Sequence, residues 1–338
     1  MKVCVVGYGM MGVWHSEALA AEERYFVVGR RPEPTAEFAA RYGYRRWSVD
    51  LEEALADPAV DAVIVASPSE LHAAMALRCL AHGKPTLVEI PIAMSYAAAE
   101  RVVAEAERRG LTLGVVHPMR FRKERAPLRE RLASGEEHIR HIHGRFFIHR
   151  LKNVGATGYH RSWIDNLLWH HTTHLLDLGL WMLAVEGAPI RSVSHFMPAP
   201  DPHTGIPMEV VLLVETETDQ SLLCSGSYYS RERLYDTMIV TDRDSYRLNI
   251  LEGTLTTGAG TAGIDSEQDN CALCTRDFVA ALEQGREPAV PGRAVLPTMR
   301  LLQDVQDRWD AVHGRRALPG RPLDEEGGPL DQEGGQGA

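Results

Sequence analysis

KVCVVGYGMMG, residues 2–12, is a short apolar run that gives way at once to three glycines. Residues 2–6 have the pattern of a buried strand, and residues 13–20 that of a helix. Gly7, Gly9 and Gly12 stand between them in GxGxxG spacing. A lone GxGxxG is a weak signal, but between a strand and a helix each glycine has a use. Gly7 allows the tight turn, Gly9 lets the backbone approach a pyrophosphate, and Gly12 permits close helix–strand packing. The helix N-terminus then faces the phosphates. Gly7-Tyr8-Gly9-Met10-Met11-Gly12 therefore reads as a dinucleotide cradle.

Working outward, a second strand at residues 25–28 ends in Gly29-Arg30-Arg31. NAD-binding folds usually place an acid there for the ribose 2′-hydroxyl. Arginines suit a 2′-phosphate, so Arg30 and Arg31 favour NADP over NAD, against the alternative of two solvated arginines. Helical patterns follow at 38–42 and 51–56, and a buried strand at 60–66. Ser67-Pro68-Ser69-Glu70-Leu71-His72 opens a helix that runs to residue 81. A strand at 86–89 leads into Glu89-Ile90-Pro91. A helix spans 96–109, and a strand at 111–116 leads into His117-Pro118-Met119-Arg120-Phe121. The expectation is a Rossmann-type doubly wound parallel sheet over residues 1–122. Such sheets bind ligands at their strand C-terminal ends, which here carry Gly7, Arg30, Ser67, Glu89 and His117.

Beyond about residue 135 the texture changes. Residues 141–153 alternate like a strand whose apolar face turns basic at Arg150 and Lys152, a pair suited to clamping a carboxylate or simply to a solvated strand end. Strand patterns at 191–196, 208–215, 221–227, 235–241 and 245–250 follow without intervening helices. They suggest an open, mostly antiparallel sheet in a second, α+β unit over residues 123–317. One sheet face should carry a helix and the other a subunit interface, giving a homodimer or homotetramer. Helices at 271–284 and 294–312 close this unit, the last of them placed to pack back on the first. Residues 318–338, acidic and rich in glycine, are expected to be a disordered tail.

Within the second unit lies RSWIDNLLWHHTTHLLD, residues 161–177. Asp165 or Asn166 is a fitting helix N-cap. Asn166, His170, His174, Asp177 and Trp181 recur at three- and four-residue steps on one stripe, and leucines cover most of the rest. A helix apolar nearly all round is buried, so the polar stripe needs partners or a wet cavity. Satisfied core histidines, metal ligands at i, i+4, and proton-transfer chemistry all fit that stripe. No HExxH pattern is present and no third metal ligand is identified, so no metal is expected.

The totals set outer limits. A chain of 338 residues is long for one core, and its composition is that of an ordinary globular protein. It has no apolar run long enough to span a bilayer, and its first strand begins at residue 2, so a cytoplasmic location and no membrane partner are expected. The net charge is −10, of which −4 sits in the last 18 residues as five acids against Arg321. That balance argues against a nucleic-acid partner. Five scattered cysteines include Cys271 and Cys274, spaced CxxC without a second pair, which read as packing residues.

These motifs together resemble the Gfo/Idh/MocA oxidoreductases over roughly residues 1–313. GYGMMG, the Ser67-Pro68…His72 loop, the Glu89-x-Pro91 turn and the His174-x-x-Asp177 pair carry the likeness. It implies a Rossmann fold followed by an open-sheet α/β unit often used for oligomerisation, with dehydrogenase activity. Members that oxidise sugars and polyols carry a lysine inside the Glu-Lys-Pro turn, where this chain has Ile90, and an aspartate at the position of His170. VEIPIA (88–93), HRLKN (149–153) and RSWIDNLLWHHTTHLLDL (161–178) are similar instead to a branch that uses NADP on the cyclic hemiacetal of 4-carboxy-2-hydroxymuconate semialdehyde. By that likeness His174 is the expected base, Asp177 its orienter, and His170 a proton or substrate partner. Arg120, Arg150, Lys152, Asn153 and Arg161 would meet a small carboxylated substrate, Trp163 would wall its ring, and Glu89, Ile90 and His117 would lie near the nicotinamide. A sugar or cyclitol dehydrogenase and a catalytically silent NADP-binding sensor are the rival expectations.

Overall fold

A computed structural model of the chain describes residues 1–154, 163 and 165–314; the expected tail and Arg161 lie outside them. The first half is a parallel sheet of six strands: β1 (Val3–Val6), β2 (Arg24–Val28), β3 (Arg46–Ser48), β4 (Ala62–Val65), β5 (Thr86–Val88) and β6 (Leu113–Val115). Their order is β3-β2-β1-β4-β5-β6, with every neighbouring pair parallel. β1 and β4 are buried at every position, as strands covered on both faces must be. The strand order reverses between β1 and β4, which opens a ligand crevice at their C-terminal ends. The connecting helices are α1 (Met10–Ala18), α2 (Pro32–Tyr42), α3 (Leu51–Ala56), α4 (His72–Ala81) and α5 (Tyr96–Arg109). The three-residue β3 carried too short a pattern to be placed from sequence.

After α6 (Ala126–Ala133) the second half forms an eight-stranded sheet. Its strands are β7 (Ile139–His149), β8 (Ile190–Phe196), β9 (Glu209–Thr216), β10 (Ser221–Ser227), β11 (Tyr229–Thr241), β12 (Ser245–Asn249), β13 (Thr254–Thr257) and β14 (Gly260–Gly263). The order is β14-β13-β12-β11-β7-β10-β9-β8, antiparallel except where β7 meets β10. β13 and β14 extend the sheet beyond the expected strands. α7 (Thr173–Leu183) lies across one face. It sits so close that a Cβ on its Gly179 would fall 2.4 Å from Leu222 of β10.

α8 (Glu267–Gln284) and α9 (Leu296–His313) return the chain to the first half, α8 against α1 and α9 against both α5 and α7. Cys271 and Cys274 are buried on α8 as free thiols, as packing residues should be. The backbone N–H of Tyr96 donates to Gln303 across this seam at 3.1 Å. The site described next is therefore built from both halves. Among the described residues no helix is long and apolar enough to cross a membrane.

Candidate active site

The cradle at the end of β1 fits a dinucleotide. Gly7 has φ +115°, and a Cβ there would lie 2.3 Å from the Ala66 carbonyl, so only glycine closes this turn. Gly9 caps α1 with no side-chain hydrogen bond, and nothing lies within 4 Å of where its Cβ would be. The start of α1 thus has no side-chain cap of its own, and a helix N-terminus of this kind suits an anionic phosphate. Tyr8 and Met11 flank the turn half-buried, and Met10 is exposed. Arg30 and Arg31 stand exposed just beyond β2.

At the other strand ends the side chains work in pairs. His72 is buried with its ring between the carbonyls of Ser67 (2.8 Å) and Pro91 (2.7 Å), so it ties the two loops together rather than lining the cleft. Glu89 is buried. Its Oε1 meets His15 Nε2 at 2.8 Å, and the other ring nitrogen meets Thr275 Oγ1 at 2.8 Å. With Cys271 these groups bring three metal-ligand types within 4.8 Å of one another, but both nitrogens of His15 already have hydrogen-bond partners. Ile90, half-buried, is the side chain this turn offers next to Glu89, in place of an amine. His117 is buried at the end of β6 with Nδ1 2.9 Å from Asp177.

The approach to α7 differs from a plain helix. Asn166 Oδ1 accepts from the N–H groups of Leu168 (2.9 Å) and Trp169 (3.3 Å), so Asn166 rather than Asp165 provides the cap. Residues Leu168–Thr172 then form a π turn before α7 begins. Such wide turns recur at functional sites. Here the turn presents adjacent histidines, with the rings of His170 and His171 4.1 Å apart. Asp165, released from capping, takes His170 Nδ1 at 2.8 Å and the Ser69 hydroxyl at 3.3 Å. His171 stacks on Phe146 with ring centroids 3.7 Å apart and meets the Tyr228 hydroxyl at 2.9 Å. His174 is half-buried, and its Nδ1 is enclosed with no hydrogen-bond partner among the described residues. Burial, then the nearby His117 and His170, push its imidazole down to about 3, with Asp177 acting the other way.

Two expectations are corrected. Asp177 does not orient His174, because its carboxylate is taken by His117, by the Arg120 guanidinium at 2.7 and 2.6 Å, and by Thr298 of α9 at 2.9 Å. Burial alone would raise the Asp177 carboxyl, but His117 and Arg120 beside it hold it well below the usual carboxylate range. For the same reason Arg120 is not a cation waiting for substrate. Its side chain is 7% exposed and both of its carboxylate-gripping N–H groups are engaged. A one-turn spacing suggested the His174–Asp177 pair, but the strongest charge within reach of Asp177 came from a loop 57 residues away.

The remaining candidate substrate groups gather near His171. Arg150 donates to the Asn153 carbonyl oxygen and lies over the Tyr228 ring at 5.6 Å. Trp163 stands 6.0 Å from the same ring, and Lys152 is exposed beside Arg150. Phe146, His171 and Tyr228 thus form an aromatic wall that sequence reading missed, apart from the signal of the histidine doublet.

A strand-end cradle, a histidine-bearing helix and an open sheet are the parts of a nicotinamide-dependent oxidoreductase, and comparison with known proteins agrees. Residues 1–117 match the model of an oxidoreductase family with an NAD-binding Rossmann fold, and residues 125–250 match the C-terminal model of bacterial oxidoreductases. The chain is 32% identical to 4-carboxy-2-hydroxymuconate-6-semialdehyde dehydrogenase of Sphingobium sp. (strain NBRC 103272 / SYK-6), over 90% of this chain and 98% of that protein. The chain belongs to the Gfo/Idh/MocA oxidoreductase family. As a Gfo/Idh/MocA protein it is an NAD(P)-dependent dehydrogenase acting on a small molecule. A scyllo-inositol 2-dehydrogenase (NAD(+)) of Bacillus subtilis (strain 168) is 29% identical over 40% of this chain and 41% of its own. The fold is shared with UDP-N-acetylglucosamine 3-dehydrogenase GnnA from Acidithiobacillus ferrooxidans, at a TM-score of 0.76 and 21% identity over 91% of this chain and 97% of that one.

Proposed function

We propose that this dehydrogenase uses NADP to oxidise the cyclic hemiacetal of a small carboxylated semialdehyde, such as 4-carboxy-2-hydroxymuconate semialdehyde, to a lactone. The observation that carries the reading is the extent of the likeness to the muconate enzyme, which runs through both halves of the chain. The inositol relative matches over less than half. Ile90 supports it as well. Oxidising an ordinary alcohol calls for a strong proton relay, which a lysine in the turn would supply, whereas a hemiacetal hydroxyl gives up its proton and hydride more readily.

When bound, the nicotinamide accepts the hydride released from the hemiacetal carbon. One imidazole of the His170/His174 pair takes the hydroxyl proton, so the C–O bond becomes the lactone carbonyl. Arg150, held in aim by Asn153 and Tyr228, meets a substrate carboxylate with Lys152 beside it, and Trp163 and Tyr228 face the planar ring. Arg30 and Arg31 receive the 2′-phosphate of the cofactor. The outer face of the eight-stranded sheet, where exposed Phe196 and Val211 stand in register on β8 and β9, supports a homodimer or homotetramer.

The test is absorbance at the reduced-nicotinamide band, with NADP and enzymatically generated 4-carboxy-2-hydroxymuconate semialdehyde. Rapid NADPH formation with a pyrone product is expected. NADP binding without turnover of that substrate would remove it and direct the search to cyclitols and sugars. NADP binding without turnover across those compounds too would favour a sensor.

A further inference from the structure

The proposed reaction needs one imidazole to carry an extra proton at the moment of transfer, and the structure equips two candidate rings differently. We propose that His170 is the base of this site and that Asp165 is its positioning residue, anchored across the seam by Ser69. The assignment rests on the dehydrogenase reading above and deepens it.

Asp165 Oδ2 lies 2.8 Å from His170 Nδ1 and 3.3 Å from the Ser69 hydroxyl. The carboxylate is buried, and the His170 side chain is 21% exposed. With Nδ1 donating to a carboxylate, the neutral ring carries its lone pair on Nε2, and the imidazolium formed after proton transfer sits against a negative charge. A carboxylate within hydrogen-bond reach favours the charged ring by roughly one to three pH units. Ser69 belongs to the loop that follows β4, at the dinucleotide end of the parallel sheet, so the base is held from the cofactor side.

His174 lacks this support. Its enclosed Nδ1 has no hydrogen-bond partner among the described residues, and Asp177 is bound to other groups. His117 and His170 on its flanks both oppose a further positive charge there. His174 therefore serves as a neutral hydrogen-bonding group, and the neighbours acting on His170 include, among the described residues, Asp165, His171 and His174.

The spacing explains why this pair was not legible. Residues five apart do not face each other on an α-helix, where neighbours are three or four apart. The π turn at Leu168–Thr172 and the bend at Asp165 bring them together.

The experiment uses the full chain with NADP bound, 15N-labelled at histidine, with the His170 signal identified from its loss in His170→Gln. Neutral His170 should carry its proton on Nδ1, and Asp165→Asn should lower its titration midpoint by one pH unit or more. With the semialdehyde, Asp165→Asn should lower kcat by about 10²-fold or more and change KM little, with partial recovery in Asp165→Glu. His170→Gln should lose more kcat than His174→Gln. A proton on Nε2 in wild-type His170 overturns the proposal without any variant. So does an unmoved midpoint in Asp165→Asn, or a greater kcat loss in His174→Gln. If the midpoint shifts as expected but the wild-type protein does not turn over the semialdehyde, the substrate reading fails and the Asp165–His170 pair stands.

Discussion

Replacing Asp177 by asparagine tests the reading of its carboxylate as a clasp between the two halves. The side chain accepts four hydrogen bonds: two from Arg120 at 2.7 and 2.6 Å, one from His117 at 2.9 Å and one from Thr298 at 2.9 Å. Asp177 is fully buried and Arg120 nearly so. Asparagine keeps the shape but loses the charge, and its NH2 group meets donors where an oxygen stood. Arg120 is then a buried cation left mainly with the Ala294 carbonyl at 3.1 Å and the Trp181 ring at 5.8 Å. Removing one member of a buried pair costs about 3–5 kcal/mol, because the other charge is left uncompensated. Domains of ordinary stability hold roughly 5–15 kcal/mol, so Asp177→Asn should remove about a fifth or more of the total. Urea unfolding at pH 7, followed by circular dichroism and tryptophan fluorescence, measures the loss. A loosened seam should also separate the two transitions, since α7 and α9 would no longer be held to the loop after β6. Asp177→Leu combined with Arg120→Met removes both charges and should recover most of the loss. A cost below about 1 kcal/mol for Asp177→Asn, or a double variant no more stable than Asp177→Asn alone, would refute this reasoning.

Two further outcomes follow from single groups. Arg30→Asp should weaken NADP binding by about tenfold or more and improve NAD relative to it, since a charged hydrogen bond to phosphate is worth roughly 1.5–3 kcal/mol. An unchanged ratio of the two affinities, measured by fluorescence titration, would leave Arg30 with no part in choosing the dinucleotide. His174 sets a pH dependence of stability. Its folded-state value of about 3 lies below the ~6.5 of an unfolded histidine, so between them the unfolded chain binds more protons. The stability due to its neutral burial is complete above about pH 6.5 and falls as pH drops towards 3, by at most ~1.4 kcal/mol per pH unit. His174→Gln should flatten the stability–pH curve between pH 6 and 4, and equal slopes in the two proteins would contradict it.

The parallel half was legible because its signals are local. The GxGxxG spacing, the buried strands and the glycine-closed helices each lie within about fifteen residues, and β1, α1, β4 and α5 appear where those patterns place them. β8 to β12 likewise appear at the expected strand patterns, and in β9 and β10 the alternation survives in the burial of successive residues. β3 is three residues long and mostly exposed, so it left no pattern to read. The histidines of the site were visible, but their partners were not. A helical stripe assigns neighbours at three and four residues, whereas His170 found its carboxylate five residues back through a π turn. Asp177 found its cation 57 residues back, in a loop of the other half. Asp165 was visible only as a cap because Asn166 competes for that role, and which of two adjacent polar residues wins depends on backbone geometry that composition does not record.

These pairings share a construction that bears on how the site works. Several groups at the reacting end of the parallel sheet are fixed with the help of side chains from beyond it. Glu89 is held through His15 and Thr275 of α8, His117 and Arg120 by Asp177 and thereby Thr298 of α9, and the Ser69 loop by Asp165. Transfer of a hydride and a proton requires reacting atoms within roughly 3–3.5 Å of each other, a tolerance that side chains on one element alone seldom meet. Here the hydrogen bonds that hold the cofactor end against the histidine end exist only when the halves are docked. Docking and catalytic competence are therefore one equilibrium. A substitution in the clasp, remote from any substrate atom, should lower kcat in proportion to the fraction of molecules it leaves undocked, while a substitution at Arg30 changes which dinucleotide enters and leaves the clasp as it was.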